Sequence, residues 1–227
     1  MRIMQRLQNK VVAGVTTQEI DDLAGRLIDK EGALPAFKNY KGFPSTICTS
    51  INEEIVHGIP SQRDLREGDI ISLDLGINYN GYFSDMAVTL PIGGIRAEIK
   101  KLIEVTKSSL SEGIRKAKVH NRVSDISYAI QNYVERNGFS VVRQFVGHGI
   151  GTKLHEEPEI PNFGRPHQGE IIKSGMVFAI EPMVNLGGWE SIIIDNGWTA
   201  VTKDGLASAH FEHTVAITEH GAEILTC

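Results

Sequence analysis

Two apolar runs in this chain end in carboxylates, and this pattern restricts its fold more than any other feature of the sequence. Gly68 opens GDIISLD and leads to Asp74 six residues on; Gly175 opens GMVFAIE and leads to Glu181 at the same distance. Downstream of each, a second acid opens another apolar run, Asp85 before MAVTL and Glu212 before HTVAIT. A carboxylate at the end of a buried strand is expensive unless it is paired or bound to a cation. The repetition suggests a pseudo-duplicated half-domain whose strand ends converge.

The first pair can be placed by register. Asn80-Gly81 is a strong two-residue hairpin signal. With Tyr79 and Tyr82 flanking the turn, Gly76 falls opposite Asp85 and Asp74 opposite Ala87. Asp74 and Asp85 then share a face as a diagonal pair, with backbones about 7–8 Å apart. Two carboxylates converging in this way repel unless a cation lies between them.

Around these runs the pattern is mixed. Ile3, Met4, Leu7, Val11 and Val12 are helically spaced and stop at Gly14; Thr16 with Glu19 reads as a capping box for a second helix that Gly32 closes. Two further helices are expected, from about Ile95 to Ala117 and from near Ser124 to Gly138. Strand-like runs cover Asp69–Gly76, Tyr82–Leu90, Val141–Val146, Met176–Ile180, Glu190–Asp195, Thr199–Thr202 and Thr214–Thr218. Helices cluster in two groups and do not alternate strictly with strands, which favours an α+β domain over a doubly wound parallel sheet. No linker or low-complexity tract divides residues 1–227, so a single domain is expected.

Composition excludes some classes. A net charge of −5 gives no basic face for phosphate, which argues against a nucleic-acid binder. No apolar run approaches the roughly 20 residues of a membrane span, and Met1–Lys10 lacks the apolar stretch of a secretory signal. Cys48 and Cys227 are read as two free thiols in a reducing cytoplasm.

The four acids gain a fifth partner in His148, set between glycines in VGHGIG. Asp74, Asp85, His148, Glu181 and Glu212 form an oxygen-dominated set with one imidazole, suited to Mn, Fe, Co or Zn rather than to a cysteine-built structural zinc site. Two ions bridged by carboxylates would lower the pKa of a shared water and clamp a tetrahedral intermediate. His120, His167, His210, His213 and His220 are read as ordinary side chains without a role.

With these residues assembled, the chain resembles the methionine aminopeptidases, in their short type I form. The matching stretches are SINEEIVHGIP (50–60), GDIISLDLG through GYFSDMAVT (68–89), VGHGIGTKLHEEP (146–158), GMVFAIEPM (175–183), GWTAVTKDG (197–205) and SAHFEHTVAIT (208–218). The resemblance implies a pita-bread fold, two pseudo-symmetric αβ halves around a central curved antiparallel sheet, with a shortened N-terminal region. It implies that Asp85 and Glu212 bridge two divalent ions, Asp74 completing one site and His148 with Glu181 the other. A metal-bridged water would attack the carbonyl of the first residue, with Glu181 as proton shuttle. His155 would stabilise the oxyanion and His57 would sit by the scissile amide and its leaving nitrogen. Phe37, Tyr40, Phe43, Cys48, Leu154 and Trp198 would form the methionine pocket, and the second residue of the substrate would be small.

The implied partners are peptide and nascent-protein N-termini, with the ribosome as a further candidate and a monomeric chain as the expected state. Two rivals stay open at this point. One is an Xaa-Pro aminopeptidase or dipeptidase on the same fold, the other a non-catalytic pita-bread binding protein. A cation-storage module, a third, would not need His57 and His155.

Overall fold

Thr16 determines where the second helix begins. In the computed structural model, which describes residues 2–226, Thr16 is extended and its Oγ1 accepts the Glu19 N–H at 3.1 Å. The Glu19 carboxylate accepts the Thr16 N–H in return at 2.9 Å. This capping box starts α2 (Thr17–Lys30), and Gly32, at φ +67°, turns the chain away after it. Helix α1 (Arg2–Gln8) buries Ile3, Met4 and Leu7 but ends before Val11, short of the expected limit at Gly14. Residues 14 and 15 instead bond to Leu65, through Gly14 N to Leu65 O and Leu65 N to Val15 O, and Val12 points outward.

The later helices, α3 (Ala97–Lys116) and α4 (Val123–Arg136), pack against one another. Leu102, Val105, Leu110 and Ile114 of α3 share a core with Ile126, Ile130 and Val134 of α4. Among the described residues no helix is long and apolar enough to cross a membrane. Cys48 is a buried free thiol; Cys227, read from sequence as the second free thiol, lies outside the described residues.

Each helix pair backs one sheet. Ile70–Asp74 lies between Cys48–Ile51 and Ala87–Pro91, with Ile71 and Leu73 in the core of α1 and α2. Val177–Ile180 lies between Val146–Gly149 and His213–Thr218, with Phe178, Ile180 and Val215 in the core of α3 and α4. All these pairs are antiparallel, and the hairpin register is as expected, Tyr79 opposite Tyr82 and Asp74 opposite Ala87. Two expected strands are interrupted. The run from Tyr82 breaks at Asp85–Met86, where the Asp85 backbone bonds Thr214 instead of the local ladder. The run Val141–Val146 keeps only Ser140–Val141 before resuming at Val146; between them Arg143 leaves to stack on the rings of Phe163 and Trp189.

The two sheets are joined by a seam with approximate two-fold symmetry, the pita-bread arrangement. Thr214 Oγ1 accepts from Asp85 N and donates to Asp85 O, both at 2.8 Å. Thr89 Oγ1 accepts from His210 N and donates to His210 O, also at 2.8 Å. Between these clasps Glu212 N donates to Ala87 O at 2.9 Å. Asp85, Ala87 and Thr89 therefore correspond to His210, Glu212 and Thr214. Sequence order had matched Asp85 with Glu212; the seam matches Asp85 with His210, because an acid that merely precedes a strand need not occupy the equivalent rung.

The strand carrying His148 is squeezed from both sides. A Cβ on Gly147 would collide with the Ala179 carbonyl oxygen, and one on Gly149 with that of Glu157. The glycines admit neighbouring backbone on either side of the histidine. Gly147→Ala is expected to destabilise the protein by about 1–3 kcal/mol or more, measured as a lower urea midpoint with an unchanged m-value.

Candidate metal centre

The strand ends bring all five candidate ligands into one cavity. Asp74 closes its strand, Asp85 sits in the interruption, His148 is the third residue of Val146–Gly149, Glu181 follows Ile180, and Glu212 precedes His213. Donor atoms of Asp85, His148 and Glu212 all lie within 4.8 Å of one another. Glu181 Oε1 is 3.6 Å from His148 Nε2, and Asp74 lines the same cavity as Asp85.

The electrostatics of this cluster call for positive charge. Burial first, and then the repulsion of neighbouring acids, pushes the carboxyls of Asp74, Asp85, Glu181 and Glu212 up, that of Asp74 to about 8. Asp74 Oδ1 and Glu212 Oε1 are buried with no hydrogen-bond partner, a rare condition that a bound cation would relieve. His148 is arranged as a ligand. Its Nδ1 lies 2.8 Å from the Gly149 carbonyl oxygen, which can only accept, so the proton resides there and Nε2 presents a bare lone pair to the cavity. Four carboxylates and one such imidazole are a donor set that fits divalent metal.

The other candidate residues line the same cavity: Phe37, Tyr40, Phe43, Cys48, His57, Leu154, His155 and Trp198. Phe37, Phe43, Cys48 and Leu154 share a small apolar core, with Trp198 edge-on to Phe43 at 5.2 Å. Tyr40, expected only as pocket wall, also holds His155. Its hydroxyl is 2.8 Å from His155 Nδ1 and the rings stack at 5.2 Å. Burial, and then the nearby His148, depresses the His155 imidazole to about 4, so the ring is neutral at neutral pH. Burial also lowers His57, which adopts φ +59° and meets the Phe145 ring edge-on.

Two cavity neighbours were missed. Lys41 lines the opening with its ammonium over the Tyr40 ring, and nothing in its local sequence marks it. His210, read from sequence as an ordinary side chain, is 1% exposed, and its Nε2 lies 3.5 Å from Glu181 Oε2. The alternation Ser208-Ala209-His210-Phe211-Glu212 could have revealed it, since it puts His210 on the same face as Glu212. His120, His167 and His220 are exposed, and His213 bonds Thr226 away from the centre.

This fold and this cluster define a pita-bread metallopeptidase. Residues 1–219 match the model of metallopeptidase family M24. A methionine aminopeptidase of Clostridium perfringens is 54% identical over 220 residues, covering 97% of this chain and 88% of the relative. Methionine aminopeptidase 1 of Bacillus subtilis is 53% identical over 222 residues, covering 98% and 90%. The crystal structure of a methionine aminopeptidase from Rickettsia prowazekii superposes with a TM-score of 0.98 at 40% identity, covering 100% of this chain and 92% of that one. The chain belongs to metallopeptidase family M24.

Proposed function

We propose that the chain is a methionine aminopeptidase, removing the first methionine from peptides and nascent proteins whose second residue is small. One observation carries the reading: a cluster of buried acids, two of them with orphaned oxygens, opens directly onto an apolar pocket lined by a thiol and aromatic rings. Asp74, Asp85, His148, Glu181 and Glu212 would hold two divalent ions, drawn from Mn, Fe, Co or Zn. When bound, the ions supply a water of lowered pKa and a positive field on the scissile carbonyl. Phe37, Phe43, Cys48, Leu154 and Trp198 would surround the methionine side chain and exclude water from it. The chain would work in the cytoplasm, as its cysteine usage suggests.

Protons are handled by the protein. Glu181 keeps 14% of its side chain open to the cavity, so its carboxylate can take a proton from the attacking water and pass it to the leaving nitrogen. His155 would donate to the developing oxyanion, which requires its hydrogen on Nε2. Tyr40 meets that requirement by donating its phenolic hydrogen to Nδ1. Tyr40→Phe, which keeps the ring and removes the donor, is expected to lower kcat roughly tenfold or more with metal content unchanged. Steady-state kinetics on metal-replete protein check this.

The deciding assay is methionine release from Met-Ala and Met-Gly peptides. Release that stops with a chelator and returns with Mn, Co or Fe is the expected result. Cleavage of Xaa-Pro peptides in preference would replace this reading with the Xaa-Pro one, and no hydrolysis with any metal would favour a binding protein.

A further inference from the structure

We infer that His210 is a positioning residue for Glu181, its Nε2–H holding the outer carboxylate oxygen so that the inner one stays turned toward His148. The inference deepens the two-ion reading above and rests on it.

The Glu181 carboxylate stands between two histidines. Oε1 faces His148 Nε2 at 3.6 Å and Oε2 faces His210 Nε2 at 3.5 Å. The rings differ in where their protons belong. His148 donates from Nδ1 to the Gly149 carbonyl and offers a bare Nε2. Neither ring nitrogen of His210 makes a hydrogen bond, but Nε2 has the Glu181 carboxylate 3.5 Å away while Nδ1 has no partner, and a buried N–H without an acceptor is costly. Its one hydrogen is therefore better placed on Nε2, where a carboxylate oxygen waits. Two histidines on one carboxylate thus present opposite tautomers, one a ligand and the other a donor. A contraction of about half an ångström would bring the second contact to ordinary hydrogen-bond length.

The backbone fixes this pose. Thr89 Oγ1 holds both the N–H and the carbonyl of His210, and the two-fold seam places His210 where the other half carries Asp85. One half thus supplies an acid to the centre and the other a donor that steadies an acid. Metal-ligating groups in general depend on such partners, whose loss typically weakens metal binding roughly 10–100-fold.

Mn titration calorimetry on wild type, His210→Leu and His210→Gln, with melts of the metal-free proteins, tests this. Wild type and His210→Gln, whose amide can donate from a similar position, are expected to bind two Mn ions within about threefold of one another. His210→Leu is expected to keep both sites but bind roughly tenfold or more weakly. Should the leucine variant fail to fold, His210→Asn, too short to reach, is expected to fall below His210→Gln by a similar factor. Equal affinity in wild type and His210→Leu would overturn the inference. So would equal losses in the Gln and Leu variants, which indicate packing, or a drop from two sites to one, which indicates a ligand. Wild-type protein that bound no Mn would overturn the two-ion reading itself.

Discussion

Glu212→Gln is expected to melt higher than the parent in the absence of metal and to release essentially no methionine. Glu212 is 2% exposed, its Oε1 has no partner, and burial followed by repulsion from Asp85, Glu181 and Asp74 raises its carboxyl. In the metal-free protein the carboxyl can be buried there only by holding a proton it would otherwise release, which opposes folding, and a neutral amide of the same shape removes that cost. A gain of roughly 1–3 kcal/mol is the expected scale for relieving an unsatisfied buried polar group. Activity should move the other way. Glu212 is, with Asp85, one of the two residues proposed to bridge both ions, and the stabilisation such ions give a transition state is worth several kcal/mol, or a fall in kcat on the order of 10³-fold. Chelated thermal melts beside methionine-release assays measure both. A less stable and still active variant would mean that Glu212 serves the fold and not the chemistry.

The second large effect is a pH dependence whose sign depends on metal. Asp74 titrates near 8 in the metal-free fold, against about 3.9 unfolded. Through that window the folded state keeps a proton that the unfolded chain releases, so stability falls as pH rises, by up to about 1.4 kcal/mol per pH unit for each such group. Asp85, Glu181 and Glu212 shift in the same direction. The histidines oppose this only at lower pH. His155 and His210 are depressed to about 4 and about 3, so they favour folding as pH rises toward their unfolded value of about 6.5 and contribute no slope beyond it. Between pH 6.5 and 8.5 the acids therefore act alone, and the melting temperature of the chelated protein should fall. Bound ions need those acids deprotonated, so added Mn should stabilise increasingly across the same range, by about 4 kcal/mol at a thousandfold excess over its Kd. Scanning calorimetry at several pH values, with and without Mn, measures the divergence. Parallel curves would contradict it.

Much of this was legible in the sequence, for identifiable reasons. The Thr16–Glu19 capping box and the Asn80-Gly81 turn are local interactions with strong residue preferences, and both occur as expected. The clustering of Asp74, Asp85, Glu181 and Glu212 could be anticipated because charge at the ends of apolar strands needs a shared reason. The features that escaped depend on contacts between distant segments. Nothing near Arg143 indicates that it will leave its strand for Phe163 and Trp189, and nothing near Gln8 shows that residues 14 and 15 will bond Leu65. His210 was missed because it was weighed as a lone histidine rather than by its alternation with Glu212 along the strand; the Thr89 and Thr214 clasps then fix which rung it occupies.

The most direct test is a crystal of the protein grown with Mn, with data collected at the Mn absorption edge. Two anomalous peaks, both within bonding distance of oxygens or nitrogens from Asp74, Asp85, His148, Glu181 and Glu212, are the predicted result. A map with no peak in that cavity, or with manganese held elsewhere on the chain, would contradict the account.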